Sequence, residues 1–249
     1  MEIVSGRTGK AHVTSQQFRQ ILEGVIGSDS CILASGENLE PELVSNNSLK
    51  IRSGMMYHHG NVSSVKIGTY DEVELENGTQ GMKRIDLIVN RYTRNEEDNT
   101  EKNEWVVIMG TPAESIPVVP EYTQGDLQKG DLLDDCPVFE VHFDGINIVE
   151  VTKKLEIAKT NKELAAKLPV YGTTPIIETR ANSYKDTSVK FGKTFSKAPF
   201  VLLTLSGGSQ NTKTFAVQVK DVSTTGMTIR TVNGYSSSVS MFINWCAFI

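Results

Sequence analysis

The runs VKFGKTFSKAPFVLLTLSGG (189–208), FAVQVKDVSTTGMTIRTVNG (215–234) and VSMFINWCAFI (239–249) decide the fold of the carboxyl-terminal part of the chain. Phe215, Val217 and Val219 alternate with Ala216, Gln218 and Lys220, and Met227 and Ile229 alternate with Thr228 and Arg230. A period of two sends successive side chains to opposite faces, so each strand packs one face on a core and leaves the other wet. Gly207-Gly208 and Asn233-Gly234 supply turns between the runs. The pattern predicts a small antiparallel β-sandwich over 170–249. A domain placed there, behind a short helix and a different β-rich region, is expected to be displayed. Binding is therefore the first functional expectation and catalysis the second.

Working outward, 249 residues suffice for two domains, each with its own core. Residues 1–151 predict a β-rich head with one helix. That helix covers 13–26, with Phe18, Ile21, Leu22 and Val25 at helical spacing, Thr14 or Ser15 as cap and Gly27 as stop. From Cys31 onward short apolar runs alternate with Gly36, Gly54, Gly60, Gly68 and Asn77-Gly78, the spacing of an antiparallel fold. RIDLIVNRY (84–92) and EWVVIMG (104–110) read as paired core strands around the polar tip TRNEEDNTEKN (93–103). Residues 111–120 hold three of the eight prolines and read as an extended crossover, because proline gives no N–H to a ladder. CPVFEVHF (136–143) and INIVEV (146–151) close the head as a strand pair across Asp144-Gly145.

Residues 152–169 read as a helical stalk stopped by Pro169. Ile157, Asn161, Leu164 and Leu168 fall at heptad spacing with one polar core position, and Val151, Leu155, Ala158, Lys162 and Ala165 fit a second register. A helix of that length is marginal alone in water, so partner helices in a trimeric coiled coil would supply the missing burial. A single helix lying on one domain is the alternative. Residues 170–188 show no strong periodicity and read as a neck.

Charged residues make up 22% and hydrophobic ones 39%, with mean hydropathy −0.23. This is the profile of a globular protein. A net charge of −5 with dispersed Lys and Arg argues against nucleic-acid binding, which needs clustered cations. No apolar run approaches the roughly 20 residues that span a bilayer, so no membrane insertion is expected. The amino terminus lacks the apolar core of a secretory signal, so synthesis in the cytoplasm is expected. Cys31, Cys136 and Cys246 have no metal or redox spacing and read as reduced, buried thiols.

For catalysis, Asp131, Asp134 and Asp135, like Glu96, Glu97 and Asp98, lie in polar turn segments and read as solvated. His58-His59 on a strand would point to opposite faces, a poor bidentate metal site. No phosphate loop, nucleophile elbow or zinc-protease motif occurs. The expectation is no enzyme, no cofactor and no metal.

The segments SGRTGKAHVTSQQFRQILEGVIG (5–27), GTQGMKRIDLIVNRY (78–92), WVVIMGTP (105–112) and CPVFEVHFDGINIVEV (136–151) together resemble the amino-terminal region of tail and baseplate proteins from phages and prophages of Gram-positive bacteria. Val189-Lys190-Phe191, Phe195, Ala198-Pro199-Phe200-Val201, Gly226-Met227-Thr228-Ile229 and Ile243-Asn244-Trp245-Cys246-Ala247 resemble the H-type lectin fold, a six-stranded sandwich that is usually trimeric. The likeness implies a virion-borne homotrimer that docks other baseplate proteins through 1–151 and binds host-surface polysaccharide through 170–249. The polar and aromatic loop cluster of sugar-binding members is not matched here residue by residue. All four histidines, at 12, 58, 59 and 142, lie in the head, so a histidine-assisted sugar site is not expected.

A sugar needs an aromatic platform beside planar polar groups. Candidates are Tyr235 with Asn233, Gln210 with Asn211, and Tyr184 with Asn182 and Arg180. The bland alternative makes the glycine-containing loops plain hairpin turns and Tyr235 a packing residue. Trp245 reads as core or trimer-facing. A purely structural fibre component and a tail-associated polysaccharide depolymerase are the other functional readings.

Overall fold

In the computed structural model, which describes residues 4–5, 13–206 and 215–249, the first helix is set by Thr14. Its hydroxyl accepts from Gln17 N at 3.1 Å and its own N–H donates to Gln17 Oε1 at 3.1 Å, a reciprocal capping box. Helix α1 (Ser15–Ile26) then runs to Gly27, whose φ of 111° ends it.

The chain divides into two units, Met1–Lys159 and Thr160–Ile249. In the first, β1 (Cys31–Leu33), β2 (Pro41–Ser45), β3 (Ser48–His58) and β4 (Asn61–Glu74) form one sheet. The long β3 pairs antiparallel with β4 on one edge and with β2 and then β1 on the other. A second antiparallel sheet has the order β6-β5-β7-β8, from β5 (Lys83–Arg94), β6 (Glu101–Ile108), β7 (Leu133–Asp144) and β8 (Asn147–Lys153). Leu49, Ile51, Met56, Val65 and Val73 of the first sheet meet Ile88, Val138, Phe139, Val141 and Phe143 of the second in one apolar cluster.

β5 is buried on both faces, and the buried pair Arg84 and Asp86 is satisfied in place. Arg84 forks onto Asp86 at 2.7 and 2.9 Å, and Asp86 also accepts from Gly110 N at 2.9 Å. Two glycines expected to mark turns lie inside strands instead: β3 runs through Gly54 and β4 through Gly68. The register of β3 on β4 shifts between Arg52 and Gly54, and a Cβ on Gly54 would meet Leu39 N at 2.5 Å. This glycine marks a close backbone approach.

The helix expected over 152–168 is confined to α2 (Asn161–Lys167). β8 carries the chain in extended form to Lys153. Beyond it Ile157 bridges Ile32 in parallel, with Ile32 N donating to Glu156 O and Ala158 N to Ile32 O. Ladder hydrogen bonds thus claim the backbone that helix propensity favoured, and the helix waits for the Thr160 and Glu163 capping box. Of the heptad row, Ile157 lies outside α2, Leu168 caps it, and no residue of α2 is buried. The row Ile157, Asn161, Leu164 and Leu168 therefore does not form a helical seam in this chain.

The second unit is a two-sheet sandwich. One sheet holds β9 (Val170–Thr173), β10 (Ile177–Thr179), β12 (Phe200–Ser206) and β15 (Val239–Phe248), and the other has β14 (Gly226–Asn233) between β11 (Ser183–Lys190) and β13 (Phe215–Val222). These are seven strands among the described residues, against six expected. The segment read as a neck supplies the additional pairing: β9 and β10 both lie on β15, interrupted at Pro175, which has no N–H for the ladder. Thr174 bridges the gap through its N–H to Ile243 O and its hydroxyl from Ile243 N, both at 2.9 Å. Ile177, Phe191, Phe195, Met227, Ile229, Ile243, Trp245 and Ala247 close the core. Trp245 faces inward, and Gly172 lies under it where a Cβ would meet its ring at 2.7 Å.

Gly54→Ala is expected to destabilise the first unit by about 1–3 kcal/mol, the usual cost of forcing volume into a packed contact. A urea titration followed by tryptophan fluorescence in a Trp245→Phe background, where Trp105 alone reports, checks it; an unchanged midpoint would contradict the close approach.

Candidate functional site

On the outer face of the three-stranded sheet, Asp186 of β11 stands directly opposite Arg230 of β14. Arg230 donates to both carboxylate oxygens, at 2.7 and 2.8 Å, and Lys220 of β13 adds a third contact at 3.1 Å. The Arg230 fork and the Lys220 ammonium hold the Asp186 carboxyl well below the usual carboxylate range. The Asp186 carboxylate in turn raises the Arg230 pKa. Arg230 also lies over the Tyr184 ring, 4.2 Å from its centroid. Tyr184 remains 61% exposed, so an aromatic plate is fixed at the protein surface by a cation that is itself anchored.

Beside this plate is a groove lined by Glu178, Arg180, Ser183, Tyr184, Lys185 and Ser238, enclosing about 820 Å³. The structure thus brings Tyr184 and Arg180 together at one end of the sandwich. Asn233 lies beneath, 1% exposed. Its amide donates to Thr179 O, Arg180 O and Ser237 O at 2.9–3.1 Å and accepts from Tyr235 N at 2.9 Å, so it ties three chain segments and has no polar group left for a ligand. Tyr235 is half-buried and packs with Phe215, Val239 and Met241. Gln210 and Asn211 fall outside the described residues. Arg230, Asp186 and Lys220 were not singled out from sequence; their partnership exists only across the strand register, which spacing along the chain does not show.

The outer face of the other sheet carries an apolar group at one end, beside polar positions such as Thr173 and Asn244, which are hydrogen-bonded to each other. Phe200 pairs with Phe248, Leu202 with Cys246, and Tyr171 with Cys246 from the opposite edge. Phe200, Leu202 and Tyr171 are 69, 61 and 82% exposed.

In the first unit, two acids expected to be solvated are buried. Asp135 takes the Arg91 fork at 2.6 and 2.9 Å, and Asp134 is met by both His58 and His59. These acids open β7 inside the core rather than ending a turn. His58 and His59 do not diverge to opposite faces either. His59 has left the strand, with φ at 47°, and its ring stacks on that of His58 with centroids 4.0 Å apart.

Residues 186–248 match the model of the H-type lectin domain. The matched range begins at Asp186 and contains Lys220, Arg230 and the inner rows of the sandwich, while Arg180 and Tyr184 lie just before it. Among solved structures, discoidin II of Dictyostelium discoideum aligns with 79% of this chain and 81% of its own, at 8% identity and a TM-score of 0.27. A C-terminal portion of the P. aeruginosa R1 pyocin fibre aligns with 99% of this chain and 97% of its own, at 9% identity and a TM-score of 0.24. Neither score is high enough to bear on fold or role. No curated protein matches the chain. Among the described residues, no helix is long and apolar enough to cross a membrane.

Asn233→Ala is expected to cost about 1–3 kcal/mol, because it strands buried backbone groups that the amide now satisfies. Chemical denaturation reports the loss, and a variant as stable as the parent would remove Asn233 from its latching role.

Proposed function

We propose that the chain is a tail or baseplate protein of a phage or prophage of Gram-positive bacteria, a homotrimer whose carboxyl-terminal sandwich binds carbohydrate on the host surface. The match of 186–248 to the H-type lectin domain is the observation that carries this reading. The resemblance of 5–27, 78–92, 105–112 and 136–151 to baseplate proteins supports docking of the head, 1–151, to other virion components. The proposed role is binding without catalysis.

Within the sandwich the sugar is assigned to the groove beside Tyr184. The exposed ring offers an apolar plate to the C–H face of a pyranose. Arg180, Glu178 and Lys185 offer planar and charged groups to its hydroxyls. Asn233 and Tyr235 support the loop from below rather than touching the ligand.

The trimer is assigned to the apolar sheet face around Leu202 and Phe200, which takes over the role expected of a coiled coil. Three sites on one body, repeated over many copies on a particle, raise effective concentration enough for weak contacts to hold.

Light scattering on the purified full chain should give about three times the 27.4 kDa of one chain, and Leu202→Asp should shift it toward one. A wild-type mass of a single chain would remove the trimer. On arrays of bacterial cell-wall polysaccharide the full chain should bind, and Tyr184→Ala should weaken binding at least about tenfold, a loss of ~1.4 kcal/mol. Equal binding by parent and variant would move the site elsewhere, and no binding to any glycan would leave the domain a structural cap.

A further inference from the structure

The β3–β4 hairpin closes on His59 and Gly60, both at positive φ, 47° and 81°. A two-residue turn with both central residues at positive φ follows the twist of its strands. Here it also swings the His59 imidazole back over His58. Gly60 cannot be replaced without moving α1, since a Cβ there would lie 2.7 Å from Arg19 O and 2.8 Å from Arg19 Cα. The helix therefore clamps the tip that presents the two rings.

Both rings aim at one oxygen. His58 Nε2 and His59 Nδ1 each lie 2.9 Å from Asp134 Oδ2, and the three donor atoms lie within 4.8 Å of one another. The other atom of each buried group is already engaged. His58 Nδ1 meets Ser30 Oγ at 2.5 Å, and Asp134 Oδ1 accepts from Gly125 N at 2.9 Å. His58 is 8% exposed, and its Nε2 makes no aligned hydrogen bond despite the short distance to the carboxylate. A buried imidazole nitrogen turned on a carboxylate oxygen without a proper bond is a costly arrangement for a merely structural cluster. It becomes a favourable one with a cation between them. With Nδ1–H donated to Ser30, the Nε2 lone pair is free, the tautomer that outer hydrogen bonds impose on metal-binding histidines.

We propose that His58 Nε2, His59 Nδ1 and Asp134 Oδ2 bind a divalent transition-metal ion of the Zn²⁺ class. Nitrogen and carboxylate donors suit that class, with bond lengths of about 2.0–2.2 Å. Seating the ion requires the 2.9 Å contacts to open by roughly half an ångström, which the partly exposed His59 ring can supply. The fourth position faces a cavity of about 400 Å³ that also touches Tyr122, Gln124 and Lys154. Lys154 is turned onto Glu140 at 2.6 Å, so its charge is already compensated. Bound there, the ion pins the hairpin tip to the start of β7.

The test uses the tag-free full chain, stripped with EDTA, dialysed and titrated with ZnCl₂ by calorimetry. In parallel, Co²⁺ is added and its visible absorption recorded. One equivalent per chain is expected, with the intense bands of four-coordinate Co²⁺ and a rise in melting temperature. His59→Ala should weaken Zn²⁺ binding at least about tenfold with an unchanged far-ultraviolet circular dichroism spectrum. No binding by the wild type, or equal binding by wild type and His59→Ala, overturns the site. Should His59→Ala fail to fold, the wild-type Co²⁺ spectrum decides alone: nitrogen-ligated four-coordinate bands support the site, and the spectrum of aqueous Co²⁺ overturns it.

Discussion

β15 carries apolar side chains on both faces, and the second unit is organised by that fact. In its inward row, Ile243, Trp245 and Ala247 close the sandwich against β14 and the Phe191–Phe195 pair, whose rings meet edge to face, and Val239 and Met241 pack with Phe215. Ladders on both sides, to β12 on one and to β9 and β10 on the other, fix the register. A slip of one residue would exchange the two rows and leave the core with Asn244 and Ser240. The inner row is fully used in this way. The outer row, Ser240, Phe242, Asn244, Cys246 and Phe248, mixes polar and apolar side chains, and its apolar end continues into Phe200, Leu202 and Tyr171.

The opposite sheet has the reverse character. Its outer face presents Asp186, Arg230, Lys220 and Gln218, cross-linked by charge rather than packed, and it needs no cover. In the function proposed above, one sheet face is assigned to assembly and the other borders the ligand groove. Tyr184 belongs to the second category because Arg230 holds it in place: a large ring at 61% exposure without such an anchor would be free to turn. At the end of the sandwich the Asn233 amide ties the end of β10 to the loop after β14, beneath the groove proposed for the ligand.

Much of this was legible in the sequence. Alternation in 215–220 and 227–230 marked the sandwich, and the RIDLIVNRY strand, β7 and the Thr14 cap marked the head. What was not legible depends on partners distant along the chain. Residues 152–159 have good helix formers, yet a bridge to Ile32 holds them extended. Pro175 breaks an edge strand in two, so neither half is long enough to show a period. Asp134 and Asp135 follow a polar turn, and only the pairing of β7 with β5 and the approach of the hairpin tip reveal them as buried. The alternation rule failed at His59 for a local reason: it applies to strand residues, and positive φ takes His59 out of the strand.

The short α2 bears on how subunits of the proposed trimer hold together. A helix of seven residues gains little from propagation after the cost of nucleation, and its capping box serves mainly to start it. Leu164 and Leu168 are exposed, so three such helices could bury only two leucines each, well short of a helical bundle. The strands of the β12–β15 sheet are already paired in register, so covering its outer face costs little backbone ordering. Side-chain entropy is small too, because Phe and Tyr have few rotamers to lose. The sheet face, rather than a rod, is therefore the surface with the chemistry to keep three copies together.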